Sequence, residues 1–189
     1  PGIRLYVYGT LIANGNSSSN IFFTSRDDDN VGEIITGSDG NPDPGDWDCI
    51  QINGQNDNDG IASFNYCHVR YGGSQGYGNV YFYYADSPYF TNSSAAYSSN
   101  YGIRTIASIV HFEDSDFAIN NYDGLYAASG EVHIDNCLFT DNGAYAANLN
   151  NVSVIPYTGN TGSGNQINAF GISGTIDQNY TLSHSSCGF

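Results

Sequence analysis

The sequence predicts an all-β fold, a right-handed parallel β-helix built from stacked coils of about 22 residues. Three observations support this prediction. Segments of the chain resemble one another at a regular spacing of about 22 residues. Each repeat contains short runs of alternating polar and apolar residues that Asn, Asp and Gly interrupt, as expected for strands joined by tight turns. No segment of useful length has helical periodicity.

The repeat is clearest in the middle of the chain. Residues Val110–Ser115 align with Val132–Cys137 one repeat later and with Pro88–Ser93 one repeat earlier. Because stacked parallel strands lie about 4.8 Å apart, aligned residues should form columns of like on like. We therefore expect an inward column and a turn ladder whose side-chain amides bond between coils. The inward column is Phe90, Phe112 and Ile134, and the ladder is Asn92, Asp114 and Asn136.

The flanks are less regular, but the whole chain, 1–189, is predicted to be one domain. Alternating segments near the start, Leu5–Ala13 and Asn20–Ser25, predict the first strands. A long acidic loop at about 26–46 follows them, and another insertion falls around 72–76. After the regular repeats, Val152 is expected to be the equivalent of Val132, at a spacing slightly shorter than the repeat. Residues 158–166 are expected to be an insertion and 174–189 a C-terminal tail.

The charge balance excludes several classes of function. The chain has 19 acidic residues and only four basic ones, all arginine, for a net charge of −15. Nucleic-acid binding is excluded, because affinity for phosphate backbones comes from Lys and Arg, and anionic membranes are disfavoured for the same reason. No apolar run approaches the roughly 18 residues that a membrane span needs. An acidic chain without Lys or Met is typical of a secreted or cell-surface protein, and we expect Pro1 to begin a mature or excised segment.

Several segments carry a family resemblance. They are Leu11–Gly15, Ile21–Ser25, Pro44–Trp47 with Ile50, and Cys67–Gly73. With these segments the chain resembles the opening coils of secreted microbial right-handed parallel β-helix repeat proteins, which share the pectate-lyase-like solenoid. The resemblance implies the fold, but the family mixes polysaccharide-active enzymes, adhesins and surface proteins. Cys49 departs from the family pattern, which has a small residue there.

Lyase chemistry on this fold uses Lys or Arg to neutralise a substrate carboxylate and to abstract a proton. This chain has no Lys, and its four Arg are dispersed. The sequence therefore argues against a polysaccharide lyase. A different patch is predicted where His111, Glu113, His133 and Asp135 point outward in adjacent coils. It is a candidate catalytic pair for neutral-glycan hydrolysis or a metal site with N and O ligands; the alternative is a solvated sheet face.

Two acidic segments are candidate Ca²⁺ sites, because Ca²⁺ prefers oxygen ligands in flexible loops. The first is the long loop with Asp27, Asp28, Asp29 and Asp39. The second is the turn with Asp57 and Asp59, which half resembles an EF-hand loop but lacks its first and twelfth ligands. The alternative for both segments is an ordinary Asx-rich turn.

Tyrosines form a further candidate surface. In the segment Val80–Tyr84 the even positions are expected to fill the core, so that Tyr81 and Tyr83 face outward. Exposed tyrosine rings stack on sugar faces or form protein interfaces, but Tyr is also common in any wide sheet.

Modification sites and cysteines complete the candidates. Sequons at Asn16, Asn151 and Asn179 are candidate glycosylation sites, whereas the one at Asn92 falls in the predicted ladder. Cys67 and Cys137 share a column but lie three coil steps, roughly 14 Å, apart, too far for a disulfide. Cys49 and Cys187 are a candidate disulfide if the tail folds back along the helix.

The function expected from the sequence is a non-catalytic extracellular structural or adhesive module. The coil ends of a solenoid expose unpaired strand edges, so end-to-end self-association into a filament is one expected mode of assembly. The alternative is a carbohydrate-active protein, either a hydrolase or a glycan-binding module. The expected partners are a second copy of the chain or extracellular glycans.

Overall fold

The computed structural model describes residues 2–56, 58–154 and 158–175, with the backbone alone given at Val154. It is an all-β parallel solenoid of about five turns, with equivalent positions about 23 residues apart. The fold class predicted from the repeat is therefore confirmed. The one helix in these residues is a 3-10 turn, Ser74–Gly76, and the described part of the chain contains no helix able to span a membrane.

Seventeen strands build the described part of the solenoid. In chain order they are β1 Arg4–Val7, β2 Thr10–Asn14, β3 Ile21–Phe23, β4 Cys49–Asn53, β5 Ile61–Asn65, β6 Cys67–Arg70, β7 Gly78–Tyr83, β8 Asp86–Thr91, β9 Ser94–Ala96, β10 Tyr101–Glu113, β11 Asp116–Ala118, β12 Leu125–Asp135, β13 Leu138–Thr140, β14 Tyr145–Asn150, β15 Ser153–Val154, β16 Thr161–Ser163 and β17 Ile167–Ser173.

These strands form three faces. Face A contains β1, β4, β7, the first half of β10, the first half of β12, β14 and β17. Face B contains β2, β5, β8, the second halves of β10 and β12, and β15. Face C is a separate six-stranded sheet of β3, β6, β9, β11, β13 and β16. Faces A and B count as one sheet because β10 and β12 run through the corner between them.

The core is a set of vertical columns of apolar side chains. The predicted column of Phe90, Phe112 and Ile134 is confirmed, because Phe112 pairs with both of the others and all three are buried. Phe64 extends the column by one turn. On face C the stacked rings of Phe117 and Phe139 lie 4.7 Å apart. The phenylalanines therefore supply much of the apolar burial that stabilises the stack.

Each turn has three corners, and residues with positive φ mark each of them. The A–B corner has Tyr84, Ala107, Ser129, Asn151 and Gly174; the B–C corner has Tyr66, Asn92, Asp114, Asn136 and Gly159; the C–A corner has Tyr71, Tyr97, Ile119, Asp141 and Gly164. The left-handed conformation turns the chain sharply from one face to the next, and it favours Gly, Asn and Asp.

The B–C corner corrects one prediction. Asn92, Asp114 and Asn136 do form a turn column, but all three are exposed. Among the described residues no hydrogen bond joins one of these side chains to the next, and the Nδ2 of Asn92 donates to Asn65 at 3.0 Å. The predicted amide ladder does not form here, because a left-handed corner directs these side chains away from the core.

The buried amide ladder lies instead beside the C–A corner. Asn120, Asn142 and Asn165 are each at most 6% exposed. The Nδ2 of Asn120 donates to the Oδ1 of Asn142 at 2.9 Å, and the Nδ2 of Asn142 donates to the Oδ1 of Asn165 at 2.7 Å. The ladder satisfies polar groups that would otherwise be buried without partners.

Two predictions of register near the C-terminus were wrong. Val132 pairs with Val154 and not with Val152, so this segment keeps the spacing of the central repeats. Residues 158–166 are not an insertion, because they contain β16, which continues face C. The side chain of Asn165 fills the next step of the buried ladder, which explains why the polar segment follows the solenoid path.

Candidate functional sites

The predicted histidine patch lies on the outer surface of face B. The parallel register places His111 beside His133 and Glu113 beside Asp135. The two imidazole rings stack with their centroids 4.1 Å apart, and the ring of Tyr89 stacks on the other side of His111 at 4.5 Å. The structure thus assembles the predicted residues and extends the stack by one tyrosine.

The charges around the patch differ from the predicted arrangement. His133 Nε2 lies 2.7 Å from the Oε1 of Glu131, a residue that sequence reasoning missed. The sequence could have indicated this contact, because Glu131 precedes His133 by two residues and therefore lies on the same side of the strand. Burial and the neighbouring His133 lower the pKa of His111, which favours its neutral form. Asp135 accepts hydrogen bonds from the backbone N–H and hydroxyl of Thr158 at 3.2 and 3.3 Å.

The carboxylates of the acidic loop are bonded mainly to protein groups. Asp28 is 3% exposed and accepts from Arg70 Nη2 at 2.5 Å and from the Thr24 hydroxyl at 2.5 Å. Burial opposes ionisation, but these donors hold the pKa of Asp28 below its usual value. The ion pair anchors the loop to β6 on face C.

The other carboxylates that were predicted as ligands in this loop are also bonded to protein groups. Asp27 pairs with Arg26, Asp29 accepts from the Ser38 hydroxyl, and Asp39 accepts from the Asn41 backbone N–H. Asp59 is exposed, and Asp57 lies outside the described residues. Across the described ranges, no three His, Cys, Asp or Glu side chains are grouped so that they could hold a metal ion. The geometry gives the predicted calcium and metal sites no support.

The predicted outward tyrosines of face A are only partly exposed to solvent. Tyr81 and Tyr83 do lie on the outer side of β7, but Tyr81 is only 8% exposed because Tyr77 and Tyr83 pack against it. Burial raises the pKa of Tyr81 to about 12. Tyr84 was predicted to point inward, and this was wrong. It occupies the A–B corner with φ 52° and is 47% exposed, because the strand alternation ends at Tyr83.

The three cysteines that the structure describes are buried thiols. Cys67 and Cys137 share a column with Ser93 and Ser115 between them, and both are free. Cys49 is also a buried thiol, and burial raises its pKa to about 12. Cys187 lies outside the described residues, so the proposed pairing with Cys49 stays a prediction.

The candidate glycosylation sites are accessible where the structure describes them. Asn16 and Asn151 are exposed, whereas Asn179 lies outside the described residues. Asn92 was not a candidate because it was predicted to lie in the amide ladder, but it is exposed as well. An N-glycosylation acceptor must be exposed, so these three positions meet that condition.

A cavity lies at the N-terminal end of the described part of the solenoid. This cavity of about 650 Å³ opens between β1 and β3, with Ile50 of the second turn among its lining residues. Six of its eleven lining residues are apolar, and the polar side consists of Thr24 and Ser25 together with three residues of the acidic loop. The lining residues are Ile3, Leu5, Phe22, Phe23, Thr24, Ser25, Arg26, Asp27, Asp46, Trp47 and Ile50. The sequence did not predict this cavity, and the histidine patch does not line it.

Comparison of the chain with protein-family models, curated proteins and solved structures gives no significant match. The parallel β-solenoid is therefore established by the structure itself.

Proposed function

We propose that this chain is a non-catalytic structural or adhesive module of the secreted microbial β-helix type, which works outside the cell and assembles end to end. The observation that carries the proposal is that the first turn of the described residues leaves strand edges and apolar side chains exposed at one end of the stack. The extracellular location is supported by the acidic, lysine-free composition, with a net charge of −15.

Strand edges and apolar surface are both exposed at this end. Among the described residues, β1 pairs only with β4, β2 only with β5 and β3 only with β6. Ile3 is 74% exposed and Leu5 44% exposed beside the cavity. A sheet edge that is neither paired nor covered binds further strands. Three such edges, with exposed apolar side chains beside them, favour the addition of another coil.

A second copy of the chain is the partner that fits this end. Within the described ranges, β15, β16 and β17 at the other end of the solenoid also pair on one side only. They are parallel members of the same three faces, so a head-to-tail contact would continue every ladder in its existing direction. Such a contact joins two different surfaces and does not close, so it produces an open filament.

The experiment compares two variants that each place one charge on a similarly exposed apolar residue. Leu5→Lys alters the open end, whereas Ile109→Lys alters the middle of face B, where Ile109 is 39% exposed. We expect sedimentation velocity to show concentration-dependent oligomers for the unchanged protein and for Ile109→Lys, but monomers for Leu5→Lys. Electron microscopy should show filaments only for the first two. Monomers at every concentration for the unchanged protein, or equal effects of the two substitutions, would overturn the proposal.

The hydrolase alternative has weaker support. His111, Glu113, His133 and Asp135 lie on the outer surface of a sheet, whereas catalytic sites need concave walls that exclude water. Incubation with a panel of neutral glycans tests this alternative directly. Turnover that His111→Ala abolishes would replace the structural proposal with an enzymatic one.

A further inference from the structure

Arg104 lies on the outer surface of face A between two tyrosines. The register of β7, β10 and β12 places Tyr81, Arg104 and Tyr126 in one column. The guanidinium carbon is 5.3 Å from the centroid of the Tyr81 ring and 5.9 Å from that of Tyr126. These distances are within the range of cation–π attraction, so the two rings hold the side chain against the sheet.

Arg104 also differs from the other arginines in its charge environment. In the described ranges, Arg4, Arg26 and Arg70 each have a carboxylate within 3.2 Å, namely Asp48, Asp27 and Asp28. Across the same residues, Arg104 has no carboxylate at ion-pair distance, although the chain carries 19 acidic residues.

The hydrogen bonds of Arg104 leave donor capacity unused. Its Nη1 donates to the backbone carbonyl of Gly76 at 3.3 Å, and its buried Nε has no partner in the described part of the chain. A guanidinium has five donor hydrogens in a planar fork that fits a carboxylate. The buried Nε cannot be reached from solvent, but the half-buried side chain keeps further Nη hydrogens for an external acceptor.

The aromatic rings beside Arg104 supply the second element of a binding surface. The rings of Tyr101 and Tyr126 stack at 4.9 Å, and the ring of Tyr122 follows at 6.0 Å from Tyr101. Tyr122 is 54% exposed. Amphipathic rings in a row present apolar faces with polar tips, which suits the alternating apolar and hydroxylated surfaces of a sugar.

We propose that Arg104 and the adjacent tyrosines bind a glycan that carries an isolated carboxylate. The carboxylate accepts from the Arg104 guanidinium, and sugar rings contact Tyr126 and Tyr122. The net charge of −15 selects against polyanionic chains, because every further acidic group is repelled by the rest of the surface. Asp123 is an acidic side chain close to this cluster, and its charge adds to the effect of burial in raising the pKa of Tyr101. Asp123 itself accepts hydrogen bonds from the Tyr145 backbone N–H and from Asn148 Nδ2.

The test uses isothermal titration with two matched disaccharides, one ending in glucuronic acid and one ending in glucose. The titrations are done on Leu5→Lys protein, which we expect to be monomeric. The result for glycan binding therefore does not depend on whether end-to-end assembly occurs. A charge-assisted hydrogen bond corresponds to about a tenfold or greater change in affinity. We expect the acidic sugar to bind about tenfold or more tightly than the neutral one.

Three substitutions separate the contributions. Arg104→Gln should remove the preference for the acidic sugar and leave weak binding of the neutral one, while Tyr122→Ala should weaken both. Arg26→Gln is the matched control, because it removes the same charge from a side chain that is 59% exposed in the acidic loop. Near-ultraviolet circular dichroism checks that each variant is folded.

The proposal is overturned if both sugars bind equally, if neither binds, or if Arg26→Gln has the same effect as Arg104→Gln. Equal binding of a short peptide through its terminal carboxylate would show that the site recognises the carboxylate alone and not a glycan.

Discussion

Replacement of Asn142 by leucine tests whether the buried amide ladder stabilises the solenoid. Asn142 is 2% exposed, and its side chain makes four hydrogen bonds. The Oδ1 accepts from the backbone N–H of Asn120 at 3.2 Å and from its Nδ2 at 2.9 Å. The Nδ2 donates to the carbonyl of Phe117 at 2.9 Å and to the Oδ1 of Asn165 at 2.7 Å. Leucine has the same branching and the same number of side-chain heavy atoms as asparagine, but it makes none of these bonds.

The expected loss follows from these four bonds. Each one contributes roughly 0.5–1.5 kcal/mol net, and a buried partner left unpaired costs about 1–3 kcal/mol. The Asn120 backbone N–H is such a partner, because Asn120 is buried and leucine offers this donor no acceptor. After allowance for the apolar gain of leucine, we expect the free energy of unfolding to fall by about 3–5 kcal/mol. This is a large part of the roughly 5–15 kcal/mol that a typical domain has.

Urea denaturation followed by the fluorescence of Trp47 measures the change. The matched control is Asn121→Leu, since Asn121 directly follows Asn120 of the ladder but is exposed. Surface substitutions of this kind change stability by about 0.5 kcal/mol or less. Amide hydrogen exchange adds a local measurement, because the Asn120 N–H should lose protection in Asn142→Leu. Equal stability of the two variants would refute the reasoning that the ladder, and not apolar burial alone, holds this corner together.

Three further predictions concern other positions. Thr105 is completely buried and its hydroxyl has no partner in the described residues, so Thr105→Val should raise the free energy of unfolding by about 1 kcal/mol in urea denaturation. Ile119 has φ 55°, which a β-branched residue adopts at a cost, so Ile119→Asn should raise stability by about 1 kcal/mol, and a lower melting temperature would contradict this. Burial and the neighbouring His133 lower the pKa of His111 below its ordinary value of 6.5, so the unfolded chain binds more protons there and stability is lost as the pH falls through 6.5. His111→Phe keeps a stacked ring, and between about pH 7.5 and pH 5 this variant should lose less stability than the unchanged protein. His133 and Glu131 are present in both proteins. An identical loss of stability in both would disprove the conclusion that His111 causes this pH dependence.

The sequence alone determined the repeat and the contacts that the repeat implies. Stacked parallel strands place each residue beside its equivalent one turn later, so the regular spacing was enough to put Phe90 on Phe112 and His111 beside His133. These contacts depend only on period and alternation, which are visible in the amino-acid order. The same argument placed Cys67 and Cys137 in one column.

Only the tertiary structure decided what happens at the corners and at the end of the stack. A column of Asn or Asp has the same pattern whether its side chains turn inward as a ladder, as Asn142 does, or outward from a left-handed corner, as Asn136 does. The sign of φ settles this, and it depends on how neighbouring turns close around the core. The cavity beside Leu5 and the lack, among the described residues, of a carboxylate beside Arg104 arise from interactions that do not recur from turn to turn. A periodic signal carries no information about such positions, because it reports what successive turns share and not where the stack ends or which charge is left without a partner.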